Sequence, residues 1–93
     1  MDVDAIEQAI TTGQFLFTEH ALLQMSKRQL TELEVRQVLA SPDEVLSVRE
    51  GRIVAHGMLG NYLLRVFMDV DRNPLDVVTA YRTSKIDRYR SQP

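Results

Sequence analysis

The chain has no cysteine among its 93 residues, which excludes disulfides, thiolate nucleophiles and the usual zinc knuckles and fits a reducing cytosol. Long apolar runs are also missing, so no stretch reads as a bilayer span. The acidic start "MDVDAIEQ" lacks the basic and apolar regions of a signal peptide. A cytoplasmic protein without a membrane partner is expected. Histidine is scarce: His20 and His56 stand alone with no i, i+4 pair, which argues against a dedicated metal site, and no cofactor is expected. "DVDRNPLD" opens like a calcium loop with Asp69, Asp71 and Asn73, but Pro74 stands where glycine is needed and Ala80 where a bidentate glutamate is needed. It reads as a hairpin turn. Ser47 and Ser84 have no acid and base partners in a triad arrangement.

Excess positive charge is lacking as well: 11 Lys and Arg face 13 Asp and Glu, for a net charge of -2, which argues against a bulk nucleic-acid binder. The distribution is uneven. Residues 1–47 carry eight acids and three bases (-5), residues 48–93 eight bases and five acids (+3). Nine of the eleven bases are Arg, the side chain suited to bidentate phosphate contacts, so the second half can hold a local anion site. The acidic first half speaks against DNA binding by the helices. Apolar content of 44% and charged content of 26% are those of a soluble globular protein, and the length suits one domain, residues 1–93, with one modest core.

Spacing predicts three helices and then four strands. Val3, Ile6, Ala9 and Ile10 fall at helical intervals before Gly13. Thr18 can cap a second helix carrying Ala21, Leu22 and Met25, after the short apolar link "QFLFT". Thr31 and Glu34 form a capping-box pattern ahead of Val35, Val38 and Leu39. From Val45 the period becomes alternating, and "EVLSVRE", "RIVAHGM", "YLLRVFMDV" and "LDVVTAYRT" read as strands joined by short turns, hence antiparallel neighbours. Leu64, Val66, Met68 and Val70 form one face of the third strand. In the fourth, strict alternation groups Leu75, Val77, Thr79 and Tyr81 against Val78 and Ala80. The expected fold is α+β, with N-terminal helices packed on one face of a four-stranded antiparallel sheet and the other face free for function.

His20, in a helix first turn, has the chemistry of an acid or base near neutral pH, and equally that of a surface histidine. Arg28 lies about 12 Å further along the same helix, where it also suits the C-terminal dipole. If Arg65, Thr79 and Tyr81 share a sheet face, they make a patch of hydroxyls and a guanidinium rimmed by Arg82, Lys85 and Arg88, able to hold a phosphodiester. Tyr81 and Tyr89 read equally as packing residues beside a solvated terminal helix. The tail beyond Tyr89 is expected to fray.

The landmarks "FTEHALLQMSKRQLTELEVRQVL", "SPDEV", "LLRVFMDV" and "VVTAYRTSKIDRY" resemble a bacterial domain-of-unknown-function family that pairs "H-A-x-x-x-M-x-x-R" with a strand "V-x-T-x-Y-R-T-S-K". That family is similar to the RelE/ParE/BrnT toxin superfamily and to RelE-like and barnase-like ribonucleases. The resemblance covers residues 16–90. It implies a RelE/BrnT-like fold and metal-independent RNA cleavage by the toxin of a toxin-antitoxin pair, with RNA and an antitoxin protein as partners. On matching positions it implies catalytic roles for His20, Tyr81, Arg82 and Lys85, and substrate contacts from Arg28 and Thr79; Arg65, Arg88 and Tyr89, outside those motifs, are expected to add substrate contacts from the same patch. The alternative is a non-catalytic protein-interaction module on the same fold, which suits the acidic total charge.

Overall fold

The computed structural model describes residues 3–91. Its elements run α1 (Val3–Thr11), β1 (Phe15–Phe17), α2 (Glu19–Lys27), α3 (Glu32–Ala40), β2 (Glu44–Arg49), β3 (Arg52–Leu59), β4 (Tyr62–Asp69), β5 (Leu75–Thr83) and α4 (Ile86–Tyr89). The architecture is mixed α+β around one five-stranded sheet in the order β1-β5-β4-β3-β2. No helix among the described residues is long and apolar enough to cross a membrane.

Local signals start and stop the helices as their chemistry requires. α1 ends where Gly13 takes a φ of 78°, and Ile10 is buried in the core. The Thr18 hydroxyl accepts from the Ala21 N–H and donates to the Val77 carbonyl (both 3.0 Å), so one side chain caps α2 and ties it to β5. Thr31 and Glu34 complete a reciprocal capping box at α3. Ala21 and Met25 of α2, which packs on β5, and Val35, Val38 and Leu39 of α3, which packs on β3 and β4, share one core with Ile53, Ala55, Leu64, Val66, Met68, Val77 and Ala80 of the sheet. Leu22, expected on the buried face of α2, is 40% exposed.

The sheet differs from expectation in two respects. "QFLFT" is not a link: Phe15–Phe17 forms a fifth strand parallel to β5, with Phe15 opposite Leu75 and Phe17 opposite Val77. Three residues are too few to display alternation, and only the pairing with β5 reveals the strand. The faces of β5 also change partway along it. Val77 pairs with Met68 but Thr79 pairs with Phe67, leaving Val78 as the extra residue of a bulge. Leu75, Val77 and Ala80 therefore lie on the helix-covered face, while Thr79 and Tyr81 pass to the opposite one.

That opposite face is not bare. Val54, His56 and Leu63 are buried on it, and the C-terminal segment lies over part of it. The Arg65 guanidinium sits 4.1 Å from the Tyr89 ring centroid, Arg90 pairs with Asp43 at 3.2 Å, and the Ser91 N–H donates to Glu44 at 3.1 Å. Arg90 and Ser91 are thus tied down where fraying was expected; residues 92–93 lie outside the described range.

α3 approaches β3 at Gly57, where a Cβ would stand 2.6 Å from Val38 Cγ1. A β-branched neighbour on a packed helix cannot yield that distance cheaply. Gly57→Ala is expected to lower stability by about 1–3 kcal/mol in urea unfolding. The loss should shrink in a Val38→Ala background, and additive losses would refute the contact as its cause.

Candidate functional site

Four strands place four polar side chains in one row. Glu44 pairs in register with His56, His56 with Arg65, and Arg65 with Tyr81. Lying on the same face, the four side chains bond in sequence: Glu44 Oε2 to His56 Nδ1 (2.6 Å), Arg65 Nε to His56 Nε2 (3.1 Å), and Arg65 Nη1 to the Tyr81 hydroxyl (2.5 Å). A guanidinium can only donate, so His56 Nε2 must accept. The proton of the neutral ring then sits on Nδ1 and is donated to Glu44. His56 is fully buried, with both ring nitrogens satisfied. Alongside this row, the rings of Phe67 and Tyr81 stack at 6.2 Å with planes 15° apart, and the Arg65 guanidinium lies 5.1 Å from Phe67.

The open edge of β5 carries the second half of the site. β1 pairs with β5 only as far as Val77, which leaves the strand beyond it without a paired strand on that side among the described residues. Arg28, the C-terminal cap of α2, reaches across this edge. Its Nη1 donates to Thr79 Oγ1 and to the Ala80 carbonyl, both at 3.0 Å, and its guanidinium lies 5.8 Å from the Tyr81 ring centroid. Arg82 returns the contact, its Nη2 donating to the Arg28 carbonyl at 3.2 Å. Arg28, Tyr81 and Arg82 line an open pocket of about 550 Å³. Because that pocket straddles the strand edge, Tyr81 from one sheet face and Arg82 from the other both reach it. A smaller pocket of about 370 Å³ is lined by Thr18, His20, Arg52, Val78 and Thr79, with Arg52 held by Asp69 at 2.8 Å.

Two carboxyls are displaced from their ordinary range. The Thr31 backbone N–H, opposed by burial and helped by the Thr31 hydroxyl and the Arg82 charge, holds Glu34 low. Burial would raise Glu44, but hydrogen bonds from His56 and from the Ser91 N–H outweigh it and hold this carboxyl below 4.5.

Of the residues expected to act, Arg28, Tyr81 and Arg82 meet in one pocket, with Thr79 bonded to Arg28, Arg65 to Tyr81, and Tyr89 packed on Arg65. His20 is exposed and lines the neighbouring pocket, meeting the others only through Thr79. Lys85 and Arg88 stay at the exposed α4 end, where Arg88 lies 5.5 Å from the Tyr89 ring, and neither appears among the side chains lining these two pockets. Glu44 and His56 were not anticipated. The available signal was a histidine in the middle of a strongly apolar strand, where a buried imidazole needs partners on both nitrogens.

A family model described as a domain of unknown function (DUF4258) matches residues 17–82, a span that takes in Glu44, His56, Arg65, Tyr81 and both pocket arginines but stops before Lys85. No curated protein and no solved structure matches the chain.

The Glu44 carboxyl binds its proton less readily folded than unfolded. Its stabilising contribution is therefore full above the unfolded value of 4.5 and lost as pH falls through the lower folded value. Urea midpoints measured from pH 7 down to about 3 should fall less steeply for Glu44→Gln than for the parent. Parallel curves would show that Glu44 contributes nothing to the acid limb.

Proposed function

We propose that this chain, which belongs to the DUF4258 family of domains of unknown function, acts as an endoribonuclease of the RelE/ParE/BrnT kind, the bacterial toxin of a toxin-antitoxin pair. The observation that carries this reading is the convergence of two guanidinium groups and a phenol on one open pocket, from Arg28, Arg82 and Tyr81. A phosphodiester seated there meets paired cations and a hydroxyl at the place where negative charge grows during cleavage.

The reaction is attack of a ribose 2′-oxygen on the adjacent phosphorus, with departure of the 5′-oxygen and formation of a 2′,3′-cyclic phosphate. The 2′-hydroxyl proton passes to His20 or to water as the new P–O bond forms, and the departing 5′-oxygen takes a proton from Tyr81 or from water as the old bond breaks. Arg28 and Arg82 stabilise the pentacoordinate phosphorane. Tyr81, within the same pocket, supplies a proton to the leaving oxygen or a hydrogen bond to a non-bridging one. Thr79 orients Arg28. His20, in the adjoining pocket, reaches the next nucleotide or a proton on its ribose, so the bound strand runs along the open edge of β5.

A second reading keeps the fold and drops the chemistry. β2 is an edge strand of six residues with Val48 47% exposed, and such an edge accepts an added strand from a protein partner. Strand addition survives high salt, whereas phosphate contacts weaken steeply with it.

Growth after induced expression, followed by cleavage of a mixed RNA panel by the purified protein, separates the two readings. The parent should arrest growth and cut RNA, with Tyr81→Phe and Arg82→Ala each slower by about 10²–10³-fold and still folded. His20→Ala should cost less than either. A well-expressed parent that neither arrests growth nor cuts any RNA would overturn the ribonuclease reading and leave strand addition at β2 as the function to pursue.

A further inference from the structure

Glu44, His56 and Arg65 spend a fully buried imidazole and two partly buried charges on a row that ends at one phenol. A row of apolar side chains of similar volume would hold four strands together at least as well, because burying charge costs desolvation that an ion pair often fails to recover. The polar row therefore calls for a reason beyond stability, and its terminus at the pocket supplies one.

We propose that Glu44, His56 and Arg65 are positioning residues that make the Tyr81 hydroxyl an obligate donor toward the pocket it shares with Arg28 and Arg82, so that the pocket selects a phosphate-type oxyanion. The inference rests on the reading above in placing the ligand in that pocket, but it does not depend on RNA being cut.

Arg65 Nη1 donates to the phenol oxygen, which occupies the acceptor side of that group and leaves its own proton for another partner. The guanidinium cannot turn away, being pinned at Nε by His56 as well. His56 can pin it only in the tautomer whose Nε2 is bare; the other tautomer would set N–H against N–H. Glu44 selects the right tautomer by accepting from Nδ1. Phe67 stacks against the Tyr81 ring and limits its tilt. Arg28, Tyr81 and Arg82 line the pocket, and with the phenol proton directed into it the pocket offers two guanidinium groups and one phenol proton. An ammonium or an amide N–H finds no matching acceptor there and a neutral amide oxygen brings no charge to the guanidinium groups, whereas a phosphate oxygen finds charged donors.

The test titrates inorganic phosphate, and in parallel a short single-stranded RNA, into the full chain while following the amide signals of Arg28, Tyr81 and Arg82. The variants are Glu44→Leu, which removes the acceptor, Glu44→Gln, which keeps one, Tyr81→Phe, and Glu44→Leu combined with Tyr81→Phe. Tyr81→Phe should weaken phosphate about tenfold. Glu44→Leu should weaken it in the parent but not in the Tyr81→Phe background, and Glu44→Gln should bind close to the parent. Nitrogen NMR of the parent should show His56 protonated at Nδ1 and bare at Nε2, a readout that needs no variant to fold.

Equal losses from Glu44→Leu in both backgrounds would mark the row as merely structural and overturn the proposal. The opposite tautomer, or a parent that does not bind phosphate, would overturn it too. Phosphate bound through the coupled pair with RNA left intact would sustain the inference and sink the ribonuclease reading. RNA cut with additive losses would do the reverse.

Discussion

The Arg65 guanidinium, held between the His56 ring and the Tyr81 hydroxyl, is the contact on which the candidate site depends. Its strand, β4, is central in the sheet, so its Cα position is fixed by ladders on both sides. Its side chain is fixed by donors spent in two directions and by three aromatic rings, with Tyr89 the nearest at 4.1 Å. A charge held by that many partners is preorganised, and such preorganisation keeps an electrostatic site from losing energy at the moment of binding. The same residue joins the buried half of the outer face, at His56, to the half that opens onto the pocket.

The row exists because two strands are out of simple register. In the β2–β3 hairpin, Arg49 faces Arg52 near the turn, yet Glu44 faces His56; without the shift between Ser47 and Arg49, Glu44 would face Gly57 on the helix side. In β5 the bulge at Val78 does the equivalent for Tyr81. Carrying the pairing of Met68 with Val77 straight on would set Tyr81 opposite Leu64, inside the core. One extra residue reverses which face every later side chain takes. Both ends of the row are thus aimed by irregularities, while His56 and Arg65 sit in the unbroken β3–β4 ladder.

At the open edge of β5 the packing and the site are the same set of contacts. A sheet edge leaves backbone carbonyls in need of donors, and Arg28 supplies one to Ala80 while Arg82 supplies one to the last turn of α2. Each arginine thereby secures the end of one element against the other, and both line the pocket. Thr18, closing the other end of α2 onto Val77, fixes the length of edge that stays open. β1 ends at the adjacent residue, so the exposed part of β5 begins where the bulge turns Thr79 and Tyr81 outward.

The sequence by itself determined the three longer helices, their caps at Thr18 and Thr31, the four antiparallel strands and the apolar face of β4, because those features are set by periods of a few residues and by capping chemistry. It also marked Arg28, Thr79, Tyr81 and Arg82 as the residues to watch, through the motif they belong to and the Arg-rich composition of the second half. Tertiary structure alone decided that Phe15–Phe17 is a strand, since a parallel pair between residues 60 positions apart leaves no local period. It alone made His56 the organised histidine while His20 stayed exposed, and joined Glu44 to Tyr81 across four strands. The physical reason is parity: alternation predicts which residues share a face only until a strand gains one residue, and both decisive residues lie beyond such a point.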